Sequence, residues 1–492
     1  MGTFDRRSFL RGAAATTGGV LVGGSLQALV GSVANAKPPL GFLPLGAVAD
    51  LRDGAVRLHL PPGFNYRSFH DTDGPAVVLG DGTILPGRHD GMAAFPAHGG
   101  DVWLVRNHEV NGPGPAFGPG TPYDAMARGG TTTILVSRHG KVVDAFTSLN
   151  GTQMNCAGGW MPWGSWITCE ETVNGPDVFD DFTRGDAPPD TQVQNSQLTR
   201  RHGFIFEVPA GGQSNREPIT SAGRFAHEAA VVDPATGIVY LTEDNFGFPS
   251  GFFRYHPPSN PMVTGVLEDG GTLEMLRVVG QPNLDLAVQQ VNGTTYEADW
   301  VPIADPAPTF DPIVTNDEAI RYVGDQGRDD GAAYFSRLEG ATYARGEIFF
   351  VATQGGGPPE ASLGPIGNGY GNGTGQVWSY SPVTGTLTCH YQAPTSAELD
   401  LPDNITVRTD QGPIILCEDG PGDNFIRGLT DDGELFDIAL NRLTSNATGA
   451  PRFGEEFAGA TFSPDGHTLF VNIQASAGIT FAIWGPWSRL GV

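Results

Sequence analysis

The sequence predicts an all-β chain, a six-bladed β-propeller with a metal cluster at one mouth of its central channel. Three observations carry this expectation. Six times, a short apolar strand presents a residue at its end and a polar partner follows at a nearly fixed distance: Asp90 and Glu109, Asn155 and Glu170, Glu228 and Glu243, Glu339 and Gln354, Asp403 and Glu418, Gly459 and Gln474. The first pair is 19 residues apart and the others 15. Two strands of about five residues at ~3.3 Å each, joined by a turn, fill that interval and return both members to one end of a hairpin. The second observation is composition: 70 Gly and 39 Pro in 492 residues, with few stretches of helical period. The third is that the leading strand of each hairpin passes through small residues, as the crowded axis of a propeller requires.

Taken in order, the inner strands are expected at 89–95, 155–161, 226–232, 337–343, 402–408 and 457–463. Their partners, at 103–109, 165–171, 239–245, 348–354, 414–420 and 469–474, are β-branched and aromatic runs suited to buried strands. Turn chemistry separates them, for example Asp233-Pro234-Ala235-Thr236-Gly237 and Ser463-Pro464-Asp465-Gly466. Third strands are expected near 203–208, 251–256 and 376–380. The interval from Glu228 to Glu339 is the longest, which predicts an insertion near 259–330, and a second polar insertion is expected near 174–201. The strand from Thr480 to Trp487 is expected to close the ring beside an early strand between Val56 and His70.

Residues 1–36 read as an export signal. Arg6-Arg7 is a twin arginine, Ala13 to Val33 is a weakly apolar stretch, and Ala34-Asn35-Ala36 is an Ala-x-Ala cleavage site. The expected partner is the twin-arginine export machinery, the location periplasmic or extracellular, and residues 37–492 a single propeller domain. The apolar run is too Gly-rich and broken for a membrane span. A formal net charge of −26 argues against nucleic acid and anionic membranes as partners, and the protein is expected to be a monomer.

Carboxylates crowd together only around a cation. The first column supplies Asp90, Asn155, Glu228, Glu339 and Asp403. The second supplies Glu109, Glu170, Glu243 and Glu418, with Glu171, Asp244 and Asp419 adjacent. Oxygen ligands in this number suit calcium. Cys169, directly before Glu170-Glu171, adds a thiolate that prefers iron or zinc, so a mixed cluster is expected. Cys417 reads either as a buried thiol or as a ligand, and Cys156 and Cys389 carry no signal. Arg337, two residues before Glu339, shares its strand face and either grips a tetrahedral oxyanion or neutralises a neighbouring Glu. No nucleophile elbow, Walker loop or dinucleotide fingerprint is present.

NCAGGWMPWGSWITCEE (155–171) resembles the signature of the PhoX family of secreted alkaline phosphatases. RNHE (106–109), AHEAA (226–230), RLEGATY (337–343), PDN (402–404), LCEDG (416–420) and FSPDGHTLFVNIQ (462–474) resemble its other motifs. The resemblance implies a six-bladed propeller hydrolysing phosphate monoesters with iron and calcium. Carried onto this chain, it implies that Cys169 ligates iron with Glu339 and acidic residues such as Asp403 and Glu418. Glu109, Glu170, Glu171, Glu228, Glu243 and Asp244 would hold calcium or the remaining sites, and Arg337 would bind phosphate. Asp419 completes the expected metal set. The implied reaction is metal-assisted hydrolysis, with Arg337 on a nonbridging oxygen and Cys169 a ligand rather than a nucleophile. A calcium-dependent lactonase or esterase propeller, needing neither Cys169 nor Arg337, and a non-catalytic metal-binding propeller are the alternatives.

Overall fold

The computed structural model describes residues 43–111, 114–179, 195–363 and 369–492. The expected export signal lies outside these residues, as do positions 180–194 of the expected insertion near 174–201. Three short strands come first: β1 (Gly46–Ala49), β2 (Val56–Leu60) and β3 (Asn65–Phe69).

Among the described residues six antiparallel blades follow. Blade I is β4 (His89–Pro96), β5 (Val102–His108), β6 (Gly129–Val136) and β7 (Val142–Thr152). Blade II is β8 (Asn155–Met161), β9 (Ser165–Glu170), β10 (Ile205–Pro209) and β11 (Pro218–Ile219). Blade III has β12 (His227–Val232), β13 (Val239–Glu243), β14 (Phe252–His256), β15 (Thr272–Val278) and β16 (Thr294–Pro302). Blade IV is β17 (Leu338–Ala344), β18 (Glu347–Ala352), β19 (Gln376–Ser381) and β20 (Thr386–Gln392). Blade V has β21 (Pro402–Val407), β22 (Ile414–Glu418), β23 (Phe425–Leu429) and β24 (Leu435–Asn441). Blade VI has β25 (Phe457–Phe462), β26 (Thr468–Ile473) and β27 (Ile479–Trp484).

The inner strands β4, β8, β12, β17, β21 and β25 touch in that order, and β25 returns to β4. Blades I and IV therefore face each other across the channel. Small residues make this ring possible. A Cβ on Gly91 would lie 2.6 Å from the carbonyl oxygen of Cys156 in the next blade, and one on Gly340 2.8 Å from that of Asp403.

Closure comes from β3, which pairs with β27 from Asn65↔Trp484 to Phe69↔Thr480 and so completes blade VI with the beginning of the chain. β2 instead lies on β24 of blade V, with Leu58 opposite Asn441. Residues 259–330 contain β15, β16 and a 14-residue helix, Asn316–Asp329, started by a Thr315–Glu318 capping box. β16 pairs with β20, which joins the outer edges of blades III and IV into one nine-stranded sheet.

The core lies between blades. Ile415, Ile426 and Phe436 of blade V pack on Phe457, Val471 and Phe481 of blade VI, and equivalent layers fill the other gaps. Each such side chain contributes roughly 1.5–3 kcal/mol on burial. Among the described residues no helix is long and apolar enough to cross a membrane.

Candidate metal centre

All six inner hairpins share one irregularity at the channel mouth. The register between first and second strand shifts between His89 and Met92, Asn155 and Gly158, His227 and Ala230, Leu338 and Ala341, Pro402 and Ile405, and Ala458 and Thr461. A bulge inserts an extra residue and re-aims the side chain beside it. The re-aimed residues are Asp90, Cys156, Glu228, Glu339, Asp403 and Ala458. Polar side chains from neighbouring blades hold the bulged backbone. Asn107 donates to the carbonyls of Cys156 (2.8 Å) and Ala157 (2.7 Å), Asn472 to that of Asp90 (2.6 Å), and Thr242 to that of Glu339 (2.7 Å).

A cavity of about 40 Å³ opens at this mouth, lined by Arg88, Asp90, Glu109, Cys156, Glu171, Glu228, Arg337, Glu339, Asp403, Asp419, Glu456 and Gln474. Donor atoms of Cys156, Glu171 and Glu228 lie within 4.8 Å of one another, as do those of Glu228, Glu339 and Asp403. Glu228 belongs to both groups, and its Oε2 has no hydrogen-bond partner although it is buried. Burial, then the neighbouring carboxylates, pushes Asp90, Glu228 and Glu339 well above the ordinary carboxylate range. Asp403 rises to about 7 from burial and Glu456. The Cys156 thiol is pushed up by burial, Glu228 and Glu171. Two like charges ~4 Å apart repel by roughly 4 kcal/mol at an effective dielectric of ~20. The donor set, with an unpartnered carboxylate oxygen shared between two groups, therefore fits cations.

Arg337 stands beside them in a left-handed backbone conformation (φ 37°). Its Nε and Nη2 donate to Asp244 (3.0 and 2.7 Å), and Nη2 also to Glu339 (2.7 Å). The Phe246 ring lies 5.1 Å from the guanidinium carbon.

Residues 41–146 and 141–477 match the family model described as alkaline phosphatase PhoX. The chain belongs to the PhoX alkaline phosphatase family. It is accordingly an alkaline phosphatase-type phosphoric monoester hydrolase, in a family of metal-dependent enzymes. PhoX from Pseudomonas fluorescens, solved in complex with vanadate, a transition state analogue, is similar in fold: 17% identity, TM-score 0.62, covering 91% of this chain and 98% of that one. A gluconolactonase from Xanthomonas campestris aligns at 12% identity and TM-score 0.36, covering 89% of this chain and 98% of its own. A protein of unknown function from Dyadobacter fermentans aligns at 7% and 0.43, covering 86% and 100%. No curated protein matches the chain.

Of the site residues expected from the sequence, this PhoX chain brings Glu109, Glu171, Glu228, Arg337, Glu339, Asp403 and Asp419 to the cavity, and Asp244 to Arg337. Four lie elsewhere. Cys169 is fully buried in the apolar layer between blades II and III, among Ile167, Ile205, Phe225 and Leu241. It holds in blade II the place that Asn107, Thr242 and Asn472 hold in theirs, facing the neighbouring blade, and the thiol at the cavity is Cys156. Glu170 is saturated: Oε1 accepts from His202 Nδ1 (2.6 Å) and Gln153 N (2.9 Å), Oε2 from Gly203 N (2.9 Å) and Phe204 N (3.2 Å). Glu418 accepts from Arg427 Nε (2.6 Å), Asp400 N (3.1 Å) and Phe425 N (3.0 Å). Glu243 accepts from Gly251 N (2.8 Å). All three brace the entry to the third strand of their own blade.

The 15-residue rule thus mixed two columns. The channel column is Glu109, Glu171, Asp244, Gln354, Asp419 and Gln474, and the bracing column lies one residue earlier. Cys156, Arg88 and Glu456 are the cavity residues the sequence reading missed. For Cys156 a signal existed: aligning the inner strands by their small residues puts it level with Asp90, Glu228, Glu339 and Asp403. All four cysteines are buried free thiols.

Proposed function

We propose that this protein is an exported phosphatase that hydrolyses phosphate monoesters with iron and calcium held at the propeller mouth. The observation that carries the reading is Glu228, shared between a thiol-containing donor group and an all-carboxylate one. The Cys156 thiolate with Glu171 and Glu228 suits iron, which accepts sulfur and carboxylate together. Asp90, Glu109, Glu339, Asp403 and Asp419 supply the hard oxygens calcium prefers. Cys156 here takes the role first expected of Cys169. When bound, the cations would offset phosphoryl charge and act as Lewis acids toward it.

The chain's own part is positioning. Asp244 and Glu339 fix the Arg337 guanidinium at the cavity wall, so it grips a nonbridging phosphoryl oxygen without losing its own rotamer freedom on binding. The acidic lining repels an uncompensated phosphate, which makes binding depend on the cations. Residues 1–36 would direct export through the twin-arginine machinery to the periplasm or beyond, leaving 37–492 as a single monomeric propeller domain with excursions near 174–201 and 259–330.

Elemental analysis of the purified protein, with p-nitrophenyl phosphate turnover before and after chelation, tests the reading. Iron and calcium are expected, with activity lost on chelation and restored by both ions. Turnover that persists in metal-free protein would overturn it.

A further inference from the structure

Among the described residues two arginines line the cavity, and they occupy the same position in opposite blades. Arg88 precedes Asp90 by two residues, as Arg337 precedes Glu339, and both hold left-handed backbone (φ 49° and 37°). A non-glycine residue there costs about 1 kcal/mol or more. The two side chains thus line one cavity from opposite blades, I and IV.

They are not equivalent. The Arg337 side chain is 6% exposed and tied by Nε and Nη2 to Asp244 and by Nη2 to Glu339. The Arg88 side chain is 29% exposed. Its hydrogen bonds among the described residues are two long ones from Nη1, to Glu109 Oε2 (3.3 Å) and Gln474 Oε1 (3.4 Å). Its Nε and Nη2 make no hydrogen bond to the described residues, and that edge of a guanidinium is the one that takes a carboxylate or phosphate bidentately.

The cavity is small, about 40 Å³, and open to solvent, so an ester whose phosphoryl group enters it extends its leaving group toward the opening. The carboxylates of the lining are committed to cations in the reading above except Glu456. An anionic leaving group would be repelled by Glu456 unless a cation received it.

We propose that Arg88 is a specificity-determining residue that receives a second anionic group on the leaving-group side, and so selects phosphate monoesters bearing a carboxylate or second phosphate near the ester. The proposal rests on the phosphatase reading above and deepens it.

The test compares two esters of equal reach, phosphoglycolate and ethyl phosphate, in the native protein and in Arg88→Ala. The ratio of their kcat/KM values is expected to fall about tenfold in the variant, mainly through KM for phosphoglycolate, the size of one charge-assisted contact. Taking the change in ratio cancels the intrinsic reactivity of the two leaving groups. Calorimetry gives a readout independent of turnover. The variant should lose affinity for 3-phosphonopropionate about tenfold more than for propylphosphonate. A glycerol bisphosphate should follow phosphoglycolate. Metal content is measured in parallel, and if Arg88→Ala sheds metal, Arg88→Gln, which keeps a donor toward Glu109, is expected to show the same fall. An unchanged ratio in a metal-replete variant overturns the proposal. Native protein that hydrolyses neither ester would overturn the phosphatase reading instead, and the phosphonate affinities would still decide the role of Arg88.

Discussion

Removing the Cys156 thiol takes the one sulfur donor from the group it forms with Glu171 and Glu228. Cys156→Ala is therefore expected to abolish iron content and activity together, as read by elemental analysis and turnover. Cys169→Ala should keep both, losing roughly 1 kcal/mol or a little more from its apolar layer on denaturant unfolding. Iron lost from Cys169→Ala and retained in Cys156→Ala would reverse the assignment. A second residue-scale prediction concerns His202, buried between Glu170 (2.6 Å) and Asp124 (3.7 Å). Burial acts to lower its pKa, but the Glu170 and Asp124 carboxylates outweigh burial and raise it from about 6.5 to about 9. The proton is thus bound more tightly in the folded state. Its contribution is fully present below about pH 6.5 and is lost as pH rises through 9, up to roughly 3 kcal/mol. Urea unfolding of His202→Gln measured from pH 6 to 10 should be less stable at the acid end and converge on the native protein at the alkaline end.

At the scale of the element, the bulged hairpin is the working part. Its ladder is interrupted where the ligand column begins, and the freed carbonyls of Cys156, Ala157, Asp90 and Glu339 accept from side chains of the preceding blade. Asn107 does this for blade II and also accepts from Trp166 Nε1 and Thr168 Oγ1, both 2.9 Å. Asn107→Ala leaves buried carbonyls of Cys156 and Ala157 without partners. We expect a loss of about 2–3 kcal/mol in chemical denaturation and weakened iron retention on dialysis. Wild-type iron retention in that variant would show that the bulge holds Cys156 without the inter-blade contact. The same bulge explains why regular strand counting misled. The residue inserted in the first strand lengthens the interval between the two columns, so Asp244 follows Glu228 and Asp419 follows Asp403 by 16 residues, and a count of 15 stops one short, at Glu243 and Glu418. In blade II the count starts one residue early, at Asn155 instead of Cys156, and so ends at Glu170 instead of Glu171.

Across the whole molecule, the early strand β3 and the last strand β27 share blade VI, and the cavity draws on all the blades. Metal removal should therefore register globally. Buried carboxylates from blades I to V would face one another without compensation. Chelation is expected to lower Tm by several degrees in a single cooperative transition, with reversal on adding calcium and iron back. A Tm unaffected by chelation, in protein shown to have lost its ions, would separate the cluster from the fold.

The chain by itself determined the class of fold, because strand length, turn residues and small inner side chains are local properties that leave a repeating trace. It also determined which blades bear acid at their tips, and the family motifs lie in those same stretches. Tertiary structure alone decided which of two adjacent acids enters the channel, which thiol joins them, and that Arg88 and Arg337 stand opposite each other. Those outcomes depend on bulge position and on ring closure, and both are fixed by contacts between blades far apart in sequence.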